Sequence, residues 1–312
     1  MNSSLSIWLM VIASTFFWGS NFNAGHAIAG DVTPLTAAAE RFVIAVILFL
    51  LLRAAQRKAE SQLHWRDGMV LVPLGIIGVF GFNYAFFTAL HTTSALNAAL
   101  IMALSPMLSL LFSVWLLKSR IQLFQCIGIL IAFIGVTLVI TGGNFGLVHI
   151  ALGDAWMIGA CIVWSLYTVG SKKYAGHIPS LQLARWTVSI GAVALTAVAF
   201  LQEQPLIDVP ALPLKTHSIL FYMASFGTVF AYIFWLKGVH FLGPDKSAIA
   251  FNLVPVSTLI VSVLLGNYPN KIQILGMLLV LIGVVISSGW HSSGWRPGNK
   301  QHSNKKPDPK NS

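Results

Sequence analysis

Two arginines lie where an arginine is expensive. Arg41 falls at the start of an apolar stretch that continues through Val43 to Leu52, and Arg185 falls within the apolar stretch 180–201. An ionisable side chain inside a membrane-length apolar run is costly, and it marks a functional position unless its stem carries the charge out to the headgroups. Arg41 lies about seven residues into its run, roughly 10 Å at 1.5 Å per residue, and Arg185 is at a similar depth in its own. Two readings follow. The pair could be gates at opposite mouths, hydrogen-bonding backbone carbonyls or an anionic solute group in alternation, or both could be snorkelling. Glu40 adjoins Arg41, but neighbouring helical residues point about 100° apart, so no direct pair is expected. If Glu40 faces a passage it is the candidate for proton coupling; a lipid-interface position is the alternative.

The uncharged polar and aromatic groups are next. Trp18, Asn21, Phe22 and Gly25 recur at spacings of three and four, which puts them on one helix face. Cys161, Trp164, Tyr167, Thr168 and Ser171 do the same further along. Asn83, Tyr84, Tyr232 and Asn252 are further polar groups within apolar runs. An apolar wall with a few hydrogen-bonding groups suits a small amphipathic organic solute. Trp18, Asn21, Asn83, Tyr84, Trp164, Tyr167, Tyr232 and Asn252 are therefore the candidate substrate-binding residues. Helix packing and interhelical hydrogen bonding would use the same residue types. Pro106 and Pro255 each remove a backbone donor and free a carbonyl four residues earlier, so kinks are expected at both, with hinges as a possible use.

Catalytic chemistry finds no foothold. No acidic or histidine cluster has metal-ligand spacing, and no Gly-rich loop followed by Lys offers a phosphate cradle. Cys126 and Cys161 are too few and too far apart for a disulfide framework or a metal site. The expectation is a protein that is not an enzyme, with no cofactor and no metal, drawing energy from an ion or solute gradient.

The elements that position these residues follow from composition. Of 312 residues 56% are hydrophobic and only 9% charged, with a mean hydropathy of +0.77; a soluble chain carries about a quarter charged residues. The apolar runs are continuous, which excludes the two-residue alternation of a β-barrel. The pattern predicts an all-α membrane protein with ten transmembrane helices at about 5–27, 35–53, 69–90, 94–117, 122–141, 152–172, 180–201, 216–238, 246–266 and 271–290. The polar stretch 291–312 predicts a disordered basic tail. No Lys or Arg precedes the first apolar run, so it reads as a retained helix rather than a signal peptide. With the N-terminus inside, fifteen of the nineteen basic residues fall on the cytoplasmic side, and only Lys215 and Lys271 on the other. That bias predicts both termini in the cytoplasm, and it absorbs the formal charge of +10 without any nucleic-acid partner.

The chain also repeats itself. Gln125-x2-Gly128-x6-Gly135-Val136 recurs as Gln273-x2-Gly276-x6-Gly283-Val284, and Pro106 matches Pro255. Trp18 pairs with Trp164, Tyr84 with Tyr232, and Arg41-Phe42 with Arg185-Trp186, at offsets of 144 to 149 residues. The units are 1–148 and 149–290, five helices each, and an odd number inverts the second relative to the first. Inverted repeats characterise alternating-access transporters that hold substrate near the midplane between the halves. The small residues of the Gly-x6-Gly segments predict a close helix-packing surface.

On these residues, with Phe17-Trp18-Gly19-Ser20-Asn21-Phe22, Arg41-Phe42, Ala89-Leu90, Pro106 and Pro255, the chain resembles the ten-helix EamA-type family of the drug/metabolite transporter superfamily. The resemblance implies inner-membrane exporters of small metabolites, such as amino acids or related compounds, with a central cavity lined mainly by helices 1, 3, 4, 6, 8 and 9. Many relatives carry Leu-Gly-Glu after helices 4 and 9. Here Leu117-Lys118-Ser119 and Leu265-Gly266-Asn267 stand instead, so no role for that acid carries over. The expected partners are a small-molecule substrate and membrane lipid, and the sequence leaves the oligomeric state open. An importer or exchanger is the nearest alternative; a membrane scaffold or an intramembrane enzyme would be the alternative from another class.

Overall fold

The computed structural model describes residues 3–55, 61–118, 123–141, 151–242, 250 and 253–287. Among them every regular element is helical. The first rods are α1 (Ser3–Ala27) and α2 (Pro34–Ala55). The third is a continuous rod in which α3 (Trp65–Gly75) passes through a π-helical segment (Ile76–Gly81) into α4 (Phe82–Leu90). Then come α5 (Ala95–Met102), α6 (Ser105–Leu117) and α7 (Leu123–Thr141). They are followed by α8 (Leu152–Tyr174), α9 (Ser180–Gln202) and the short α10 (Pro205–Ala211). A second composite rod follows, with α11 (Leu214–Ala224), a π-helical segment (Ser225–Phe230) and α12 (Ala231–Leu242). The last helices are α13 (Leu253–Leu264) and α14 (Lys271–Ser287).

Seven of these rods are long and apolar enough to cross a membrane, and Cys126–Gly135, Leu253–Leu264 and Lys271–Gly283 are shorter apolar helices. Large apolar side chains such as Leu50, Leu130, Val193 and Phe221 point outward. In water such a surface would drive association, whereas lipid solvates it. The fold is that of an all-helical membrane protein.

The structure refines three expectations. The helix expected over 94–117 is interrupted at Ala103-Leu104. Proline cannot donate, and its ring excludes the carbonyl four residues back, so the break falls just upstream. Pro106 then sits in the first turn of α6, where a missing N–H is harmless. The connection after Gln202 carries α10, which starts with a proline at its first turn. The expected helix over 246–266 is described only at Ala250 and from Leu253, and the basic tail lies outside the described residues.

Polar side chains fasten the rod ends. The Glu203 carboxylate, just past α9, accepts from the backbone N–H of Leu35 (3.1 Å) and Thr36 (2.7 Å). It thus caps α2, where a negative charge also meets the positive end of the helix dipole. At the same end the Thr216 hydroxyl donates to Asp31 (2.8 Å), and His217 Nδ1 pairs with Glu40 (2.6 Å). At the opposite end Asp67 accepts from the backbone of His64 (2.7 Å) and pairs with His177 (2.8 Å). Asn270 and Gln273 form a reciprocal box at the start of α14, each side chain accepting from the other's backbone N–H (2.7 and 3.0 Å).

In the interior, α1 packs on α12 and α13, while α8 packs on α4 and α6. Helix α2 lies against α9, and α7 against α14. The last contact is close as the small residues predict: a Cβ on Gly135 would strike the Gly276 carbonyl, and one on Gly283 the Gly128 carbonyl.

Candidate functional site

The cavity sits among α1, α2, α4, α8, the second π segment and α12. Trp18, Asn21, Phe22, Arg41, Phe42, Phe82, Asn83, Phe86, Met102, Trp164, Gly227, Thr228, Tyr232 and Val254 line it. Its volume is about 60 Å³, smaller than the sites that hold drug-sized molecules. The helices place these groups by periodicity: Trp18, Asn21 and Phe22 share one face of α1, and Thr228 stands four residues before Tyr232 on the second composite rod.

Aromatic rings make the walls. Trp18 meets Tyr232 edge-on with centroids 6.1 Å apart, and its ring lies 5.1 Å from Trp235. Phe82 leans on Trp164 at 5.2 Å, and Phe22 on Phe86 at 5.3 Å. The Trp18 indole N–H donates to the Gly227 carbonyl (3.1 Å), a bond made inside the second π segment. Gly227 is required there, because a Cβ would overlap the Asn21 amide. The first π segment has the corresponding close approach, with Gly78 directly under the Tyr167 ring. Such π segments leave backbone groups misaligned with the α-helical ladder and often occur at functional sites.

The charged group is Arg41, only 6% exposed. Its Nε and Nη2 both donate to the Thr228 hydroxyl, at 3.2 and 3.1 Å, and that hydroxyl donates onward to the Met223 carbonyl (3.2 Å). The guanidinium also lies 5.3 Å from the Phe42 ring centre and 5.9 Å from that of Phe87. Asn83 donates through Nδ2 to the Val79 carbonyl (2.8 Å), and its Oδ1 and that of Asn21 are buried without a hydrogen-bond partner. The wall thus offers one positive charge and rings, with the two amide oxygens buried behind its surface. Among the described residues no acidic side chain lines it.

Of the residues expected from the sequence, Trp18, Asn21, Asn83, Trp164, Tyr232 and Arg41 come together here. The others do not. Tyr84 stacks on Phe80 at 6.2 Å and meets Trp156 at 5.5 Å, away from the cavity. The Tyr167 hydroxyl pairs with that of Thr187 (3.2 Å), and the ring packs with Leu71, Leu74 and Ile178. Glu40 turns to His217 at the rod ends. Arg185 is partly buried with its guanidinium 5.8 Å from the Trp186 ring, outside the cavity lining. Pro255 is buried in the first turn of α13 next to Val254, which does line the cavity. Asn252 lies outside the described residues.

Asn83 lines the cavity and its neighbour Tyr84 does not. One residue on a helix is a turn of about 100°, enough to move Tyr84 off the wall. The burial pattern of residues 41–50 recurs position by position at 191–200. Thr228, Phe82, Phe86 and Met102 went unnoticed in the sequence. Thr228 could have been found from its four-residue spacing to Tyr232; the apolar residues carry no such signal among so many others.

The profile of the EamA-like transporter family matches residues 5–141 and again residues 151–289. "Uncharacterized transporter YyaM" of Bacillus subtilis is 34% identical over 289 residues, covering 91% of this chain and 94% of the relative. An "Uncharacterized transporter" of Archaeoglobus fulgidus is 24% identical, covering 89% and 97%. A solved crystal structure with 21% identity superposes with a TM-score of 0.58, covering 90% of this chain and 96% of the other, a likeness of fold alone. With the profile matching nearly the whole chain, this protein belongs to the EamA-like transporter family.

Proposed function

We propose that the chain is a secondary transporter that exports small metabolites, amino acids or related compounds, across the cell inner membrane by alternating access. One observation carries the reading: an aromatic cavity with a buried guanidinium and unsatisfied amides, walled by helices from both ends of the sequence. A scaffold has no use for converging polar groups in the bundle interior, where an unpartnered one costs roughly 2–7 kcal/mol.

Three features support two inverted five-helix units, with the three shorter apolar helices completing ten spans. The family profile fits the chain twice. The π segments stand at equivalent places. The contacts exchange in pairs, α1 with α12 and α13 against α8 with α4 and α6. Orientation rests on the basic-residue bias, with both termini in the cytoplasm. Arg41 serves the cavity rather than a mouth. Arg185, five residues into α9, suits an anchor to headgroups. The Glu40–His217 pair is the candidate proton site: it joins two groups that can exchange a proton near one end of the bundle.

The test is a paired uptake and efflux screen over a metabolite panel in cells with and without the protein. Faster loss of a defined set of metabolites from expressing cells is the expected result. Accumulation in place of loss would reverse the direction, and no difference for any metabolite would overturn transport.

A further inference from the structure

We propose that the carried solute bears a carboxylate, and that Arg41 is its ligand and sets the preference for acids over the corresponding amides, alcohols and amines. The inference rests on the transport reading above and narrows its substrate class.

The argument begins with what Arg41 lacks. A guanidinium has five N–H donors in a planar fork, and among the described residues its hydrogen bonds go only to the Thr228 hydroxyl. That hydroxyl spends its own proton on the Met223 carbonyl, so it faces Arg41 as an acceptor and fixes the plane of the fork. The nearby Phe42 and Phe87 rings steady the cation without neutralising it. Among the described residues no Asp or Glu lines the cavity. A buried charge without a counter-ion is strongly unfavourable, and a planar carboxylate is the partner whose two oxygens match the fork. An arriving carboxylate therefore gains the ion pair while the protein has already met most of the cost of burying Arg41.

The rest of the wall fits the rest of such a solute. The Asn83 amide is oriented by its bond to Val79, which leaves Oδ1 as an acceptor with no donor. Asn21 Oδ1 is in the same condition. Both oxygens are buried beside the cavity, while the rings of Trp18, Phe82 and Trp164 face it and suit an apolar body.

The experiment uses the purified full chain in detergent, with thermal stabilisation as the binding readout. The probes are phenylalanine, phenylalaninamide, phenylalaninol and phenethylamine, and the leucine series leucine, leucinamide and leucinol. The proposal expects at least tenfold weaker binding whenever the carboxylate is removed within a series, and loss of that preference in Arg41→Gln. Arg41→Lys should restore only part of it, because a single ammonium cannot present the fork. If Arg41→Gln does not fold, the ranking on the unaltered protein still decides. Equal binding of acids and their amides overturns the proposal, as does an acid preference that survives in Arg41→Gln. Counterflow of the same compounds in proteoliposomes separates the two levels of the argument. Transport without acid preference sinks the carboxylate and leaves the transporter, whereas neither binding nor transport of any compound overturns both.

Discussion

Two contacts in this molecule occupy matching places and are built from opposite chemistry. Where α2 meets the second π segment, Arg41 reaches across to Thr228. Where α9 meets the first π segment, Gly191 lies flush against Val79, 149 residues before Thr228. One contact keeps open a polar pocket with a charge; the other closes two backbones onto each other. The same scaffold thus provides a binding wall on one side and a packing seam on the other. On the proposed reading, a carboxylate solute that meets this single buried charge is held in a single orientation.

The comparison can be broken most severely at its polar side. Arg41→Gln should reduce transport tenfold or more at matched expression, since hydrogen bonds to charged groups contribute about 1.5–3 kcal/mol. Initial efflux rates in proteoliposomes check this. On the packing side, Gly191→Val should disturb stability instead of specificity. Forcing extra methyls into a filled seam costs about 1–3 kcal/mol, which should appear as a lower melting temperature with the ranking of substrates unchanged. Trp18→Ala removes a ring and its bond to the Gly227 carbonyl, and Trp164→Ala removes the ring against Phe82. Each should weaken transport severalfold without loss of membrane insertion, as judged by KM with surface quantification. Thr228→Val leaves the charge but removes the hydroxyl that takes both of Arg41's hydrogen bonds, so KM should rise severalfold with kcat nearly unchanged, since bonds to a charged group contribute about 1.5–3 kcal/mol and water or solute replaces part of them. Arg185→Gln should be the mildest, within about twofold of the unaltered rate, as expected for a cation snorkelling near a helix end.

Much of this was legible in the sequence, and the failures are instructive. Continuous apolar runs give the rods, and the helical spacing of Trp18, Asn21 and Phe22 gives one wall, because both depend on local periodicity. The Gly128, Gly135, Gly276 and Gly283 surface is equally local in origin and appears as expected, at the contact of α7 with α14. Which face a residue presents is different. Asn83 turns to the cavity while Tyr84 turns to Phe80 and Trp156, and that depends on the neighbouring rods rather than on local spacing. Identical residue types misled in the same way at Arg41 and Arg185, whose surroundings depend on which face each rod turns inward. Thr228 went unnoticed because its four-residue spacing to Tyr232 gains meaning only once Arg41 is seen beside it.

The central claim is that one cavity opens to both sides of the membrane in turn. Its most direct test is a single cysteine at position 83, in a protein with Cys126 and Cys161 replaced, labelled from either face of sealed vesicles with a membrane-impermeant reagent. Asn83 lines the cavity, so the account predicts labelling from both faces and protection on both when a transported solute is present. Labelling from one face alone, unchanged by that solute, would contradict it.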